Sequence, residues 1–122
     1  MAMDRDRRKP EAFLPLRPVE FHVLLSLASG ERHGYGIIQD AELRGEARVP
    51  DVGTLYRALA RMVERGLISP SDGAGTRDTG DERRHYYRLT PFGLSVARAE
   101  ARRLASLTRA AMQGGLLPME AL

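Results

Sequence analysis

The stretch PDVGTLYRALARMVERGLI, residues 50–68, decides the fold. Asp51 can accept from the amide of Gly53 or Thr54 and so cap a helix. Leu55, Leu59, Met62 and Val63 then recur at i, i+4, i+7 and i+8, a core stripe at helical period. Gly66 closes the helix as a left-handed residue. The opposite face carries Thr54, Arg57, Ala58 and Arg61, with Tyr56 at its margin. Small residues at the start with long basic ones behind suit a helix laid in a DNA major groove. Its N-terminal amides can face phosphate, Thr54 can meet base edges, and the Arg forks reach guanine or phosphate. The same face equally suits plain solvation, so its surroundings have to decide.

Beyond Gly66 the period changes. Residues 67–71 and 86–89 read as two strands rich in β-formers, joined by a long loop. Arg77, Arg83 and Arg84 lie in that connection and can meet backbone phosphates. Across residues 76–88, four basic residues stand against three acidic ones, which weakens that pull. Thr90 caps a fourth helix and Pro91 opens it. It runs to about residue 113, roughly 34 Å at 1.5 Å per residue.

Upstream, Pro18 opens a first helix that runs to about residue 29. Phe21, Leu24, Leu25 and Ala28 form one apolar face and Val23 and Leu27 a second. A helix apolar on two sides is expected to be covered on both, one of them by a partner subunit. A two-glycine turn around Tyr35 leads into a second helix, about residues 35–43, with Ile37, Ile38 and Ala41 inward. Such a turn lets amides approach a phosphate and lets the Tyr35 hydroxyl donate to one, or it is a plain turn with a packed ring. The order is helix, helix, helix, strand, long loop, strand, helix. That is a winged helix-turn-helix, mainly α with a small β-wing. It divides into a mobile basic arm (1–12), the winged domain (13–90), a dimerisation helix (91–113) and a flexible tail (114–122).

On the fourth helix Leu94, Ala97, Ala101, Leu104, Thr108 and Ala111 recur at 3 and 4 spacing. The alanines let a partner helix approach closely, and Leu107 widens the stripe. Phe21 and Leu24 of the first helix are expected to join this dimer surface. Packing against the first helix of the same chain is the alternative.

Composition sets the outer bounds. At 122 residues the chain holds one domain. The net charge is +3 and the pI is 9.8, so polyanions are plausible partners. Eighteen of the 19 basic residues are Arg, the better fork for phosphate and guanine, although a GC-rich coding bias produces the same excess. The absence of Cys excludes disulfides and thiolate chemistry. His22, His33 and His85 lack metal-ligand spacing, no serine sits in a nucleophile elbow, and no phosphate-binding glycine loop is present. The expectation is a non-enzyme with no cofactor or metal. No apolar run approaches the ~18 residues of a membrane span, and the charged start is not a signal peptide, so a cytoplasmic protein is expected.

Four segments taken together resemble the PadR family of transcriptional regulators. They are His33-Gly34-Tyr35-Gly36-Ile37, Gly53-Thr54-Leu55-Tyr56-Arg57-Ala58-Leu59, Glu64-Arg65-Gly66-Leu67-Ile68 and Arg84-His85-Tyr86-Tyr87-Arg88-Leu89-Thr90. The resemblance covers about residues 16–112. It implies a winged helix-turn-helix with a C-terminal dimerisation helix, acting on double-stranded DNA and usually repressing transcription. It places Thr54, Tyr56 and Arg57 as the leading DNA contacts, supported by Tyr35 and the wing arginines. The single C-terminal helix is similar to the short branch of the family, and the acidic residues of the wing depart from its more basic form. The expected protein is a homodimeric repressor on a pseudo-palindromic operator, released by an aromatic or amphipathic small molecule bound between the subunits. The alternative is a winged-helix protein–protein module without specific DNA binding.

Overall fold

The computed structural model describes residues 7–46, 49–71 and 86–121. Four helices, α1 (Pro18–Leu27), α2 (Gly34–Leu43), α3 (Val52–Glu64) and α4 (Pro91–Gln113), surround three short strands: β1 (Arg32–His33), β2 (Ile68–Ser71) and β3 (Tyr86–Leu89). The sheet is antiparallel in the order β1-β3-β2, with Ile68 opposite Leu89 and Arg32 opposite Tyr87. This is the expected helical architecture with a β-wing, and β1 is an addition to it. Two residues are too few to show a period, so the strand is recognisable only by its partner β3.

Each helix is started by a local device. Asp51 accepts from the Thr54 amide at 2.7 Å, and Thr90 Oγ1 accepts from the Gly93 amide at 2.9 Å. In α1, Pro18 takes the first position and the Glu20 carboxylate accepts from the Arg17 amide at 2.9 Å. For α2 the cap is His33, whose Nδ1 accepts from the Gly36 amide at 3.0 Å, so its neutral ring carries the proton on Nε2.

The core gathers Leu24 and Leu27 of α1, Ile37 of α2, Leu55, Leu59 and Met62 of α3, and Val96 of α4. Three expectations change here. Leu24 is fully buried in this core and is withdrawn from any subunit interface, while Phe21 is only half-buried. Val23 and Leu27 are covered by the chain itself, so the second apolar face of α1 needs no partner. Ala58 faces inward and is fully buried, because α3 turns a wider stripe to the core than four residues mark.

Residues 7–12 belong to the expected mobile arm, yet they are tied down. Pro10–Phe13 forms a turn of 3-10 helix against α4. The Leu16 amide donates to the buried Glu100 carboxylate at 3.1 Å, and Arg103 donates to the same carboxylate at 2.6 and 2.9 Å. The Arg103 hydrogen bonds, with the Leu16 amide in support, hold Glu100 below the usual carboxylate range despite its burial.

The C-terminus of α3 is closed by backbone geometry. Gly66 takes φ +79°, its amide donates to Val63 O, and the Leu67 amide donates to Met62 O. The carbonyls left over point at α4. Thr90 Oγ1 donates to Gly66 O at 2.6 Å and the Thr90 amide donates to Leu67 O at 3.1 Å. Gly93 lies so close to Leu67 that any Cβ would overlap its carbonyl oxygen. Gly93→Ala should therefore destabilise the fold by about 1–3 kcal/mol or more, as over-packing against unyielding backbone does. Urea denaturation measures it, and an unchanged midpoint would show that this contact does not constrain the corner.

Candidate nucleic-acid interface

The buried stripe of α3 fixes what the helix shows to solvent. Arg57 and Tyr56 are exposed and Thr54 is partly so. Arg57 Nη2 lies 3.5 Å from Thr54 Oγ1, and its guanidinium also covers Gly53. These residues occupy the first two turns, the part of a recognition helix that reaches base edges. The helix N-terminus itself is already used. Hydrogen bonds from the Thr54 amide and hydroxyl, with Arg57 nearby, keep Asp51 below the usual carboxylate range. An ionised Asp51 sits where a phosphate would have to sit, so the α3 amides are not an open phosphate site.

Tyr56 has a second task. Its phenol rests on buried Gly34, at the start of α2, where a Cβ would collide with it. Next in sequence to Gly34 is Tyr35, which is 56% exposed and whose ring runs parallel to His33 at 6.5 Å. His33 meets Tyr86 of β3 edge-on at 5.3 Å. Burial, and Tyr56 close by, raise the pKa of the Tyr87 phenol. The structure thus pairs Arg57 with Thr54 on α3 and sets the Tyr56 phenol on Gly34, next in sequence to exposed Tyr35. Arg77, Arg83 and Arg84 lie outside the described residues.

Arg61 does not join this set. Its guanidinium turns back toward α1, with Nη2 3.6 Å from the Glu20 carboxylate, which is 3% exposed. Arg65 approaches the same carboxylate at 3.8 Å. A buried carboxylate beneath a helix draws the nearest cations inward. No local pattern in the sequence singles out Glu20, because its cationic partners lie more than forty positions away. His33 was equally hidden, since a ring nitrogen is not among the usual capping groups.

The expected dimer stripe is partly open. Ala101 is exposed and Leu94, Leu104, Thr108 and Ala111 are half-buried, whereas Ala97 packs against the core. Among the described residues, no three His, Cys, Asp or Glu side chains gather to hold a metal, and no helix is long and apolar enough to cross a membrane.

The profile of the transcriptional regulator PadR-like family matches residues 23–99, from within α1 to within α4. No curated protein is similar enough to count as a match. The chain is similar to a transcriptional regulator from Clostridium thermocellum, Cth-833, with 27% identity and a TM-score of 0.64 over 78% of this chain and 87% of that one. A PadR family transcription regulator from Clostridium difficile R20291 shares 23% identity and a TM-score of 0.66, over 78% and 95% of the two chains. BpsR of Bordetella bronchiseptica, whose DNA binding is regulated by 6-hydroxynicotinic acid, shares 24% identity and a TM-score of 0.63, over 86% and 70%. The latter two likenesses concern the fold.

The contact between Gly34 and Tyr56 can be measured without DNA. Gly34→Ala should cost on the order of 1 kcal/mol in the parent, since the ring must move. In a Tyr56→Ala background it should be neutral or stabilising, because alanine outranks glycine in a helix. Simple additivity of the two substitutions in a double-mutant cycle would show that the ring does not rest on Gly34.

Proposed function

The chain belongs to the transcriptional regulator PadR-like family, and on that premise we propose that it is a homodimeric repressor reading a pseudo-palindromic operator. The observation that carries this reading is the solvent-facing side of α3, where Arg57 pairs with Thr54 opposite the buried stripe; exposed Tyr56 and Tyr35 are assigned to flanking contacts. Thr54 and Arg57 are the base-reading candidates, while the tyrosine hydroxyls suit phosphate. Arg77, Arg83 and Arg84 of the wing are assigned to flanking phosphates. Arg61, facing Glu20, is assigned neither a base nor a phosphate.

Dimerisation is assigned to α4 through Leu94, Ala101, Leu104, Thr108 and Ala111, with Leu107 at the margin. The support is the partial exposure of this stripe on a helix of 23 residues whose packing contacts involve α1, β3 and the 10–13 turn. Two copies of α3 would then enter successive major grooves about 34 Å apart. A net charge of +3 per chain favours association that weakens with salt. Release by a small aromatic or amphipathic effector between the subunits completes the reading. Its support is the likeness in fold to BpsR. The rear face of α1 lends no support, being buried in its own chain.

The combined Thr54→Ala, Arg57→Ala variant tests the assignment. Each lost contact costs about 1–3 kcal/mol, so operator affinity should fall by roughly two orders of magnitude while the dimer mass in sedimentation stays unchanged. A parent protein that binds a protein partner but no specific DNA, with partner binding indifferent to both substitutions, would replace this reading with an interaction module.

A further inference from the structure

The C-terminal end of α3 is finished from both ends of the chain. Thr90 supplies donors to the carbonyls of Gly66 and Leu67. The carbonyl of Arg65 is met from the other side, by Arg8, whose Nη1 donates to it at 2.7 Å. The guanidinium is held over two aromatic rings. Its carbon lies 4.4 Å from the centre of the Phe92 ring and 5.4 Å from that of Phe13. The two rings meet edge-on at 5.3 Å. A cation over aromatic faces is attracted to them, and a cation at a helix C-terminus meets the negative pole of the helix dipole. Arg8 satisfies both conditions at once.

Residues 8–16 therefore act as a strap. One end is fixed to α4 by the Leu16 amide on Glu100, itself clamped by Arg103. The middle packs against α4 through the 10–13 turn. The other end hands Arg8 to α3 across the first turn of α4, where Phe92 stands. Thr54 is eleven residues from Arg65 along α3, about 16 Å away. Arg8 thus sits at the end of α3 remote from the base-reading candidates.

We propose that Arg8 is a positioning residue for DNA recognition, fixing the far end of α3 to the start of α4 and so setting the angle at which Thr54 and Arg57 are presented. The proposal rests on the regulator reading above and concerns a residue upstream of the family match at 23–99. It differs from a basic arm lying along DNA, in which Arg8 would touch phosphate directly.

Two measurements on the full-length protein separate these roles. The first is amide exchange at residues 65–67 without DNA, for the parent, Arg8→Ala and Arg8→Lys. The second is affinity for a selected operator across a salt series. A lysine keeps the charge but lacks the planar, multi-donor guanidinium that lies over the rings while donating to the carbonyl. Both variants should exchange faster at 65–67 and bind operator about five- to tenfold more weakly. The slope of log affinity against log salt should stay unchanged. A slope reduced by about one in Arg8→Ala and restored by lysine would mean phosphate contact and would overturn the proposal. Unchanged exchange overturns it as well, as does unchanged operator affinity in Arg8→Ala. A parent that selects no operator defeats the regulator reading instead, and the exchange data then still decide whether Arg8 fixes α3.

Discussion

The end of α3 and the start of α4 share one set of backbone groups, and the rest of the molecule is arranged around that corner. Gly66 turns the chain out of α3, Thr90 donates to the carbonyls that the turn leaves bare, and Gly93 lets α4 approach Leu67 without a Cβ between them. Both wing strands depend on the same place, since β2 leaves it and β3 returns to it. The helix proposed to read DNA and the helix proposed to pair subunits are therefore braced against each other at fixed atoms. A change in subunit spacing would reach α3 as a rigid tilt, since packed interiors shift between discrete arrangements and do not stretch.

Two buried carboxylates refine this frame. A buried charge is tolerated when it is paired and hydrogen-bonded. Glu100 meets that condition through Arg103 and the Leu16 amide, and so fixes the N-terminal strap along α4. Glu20 meets it only in part. One oxygen caps α1, while the other faces Arg61 and Arg65 at 3.6 and 3.8 Å without a hydrogen bond. The consequence for function is subtractive. Two of the arginines of the α3 segment neutralise the interior, leaving Arg57 as the cation on the outer face of its first two turns. On the proposed reading, recognition at this surface would lean on hydroxyls and one guanidinium more than on bulk charge.

What could be read from sequence was local. The limits of α3 follow from Asp51 and Gly66, and the start of α4 from Thr90 and Pro91, because caps and breakers act within three or four residues. The stripe Leu55, Leu59 and Met62 was legible for the same reason, as was the grouping of Thr54 with Arg57. The departures all involve distant partners. Arg8 and Arg65 are 57 positions apart, and Leu16 and Glu100 are 84 apart. No window along the chain joins such pairs, so residues 7–12 read as a tail and Arg61 as a DNA contact. Ala58 failed differently. It stands at the boundary between the two faces of α3, and a small side chain gives no hydrophobic weight to either. Leu24 was misplaced because period alone cannot say which apolar face a partner subunit covers.

The central claim is that two copies of α3 read a symmetric DNA site. The most direct test is selection of genomic fragments by the purified full-length protein at two salt concentrations. The account predicts enrichment of a shared inverted repeat, its half-site centres about one helical turn apart, with binding that weakens at the higher salt. Binding without sequence preference, or no enrichment at either concentration, would contradict it.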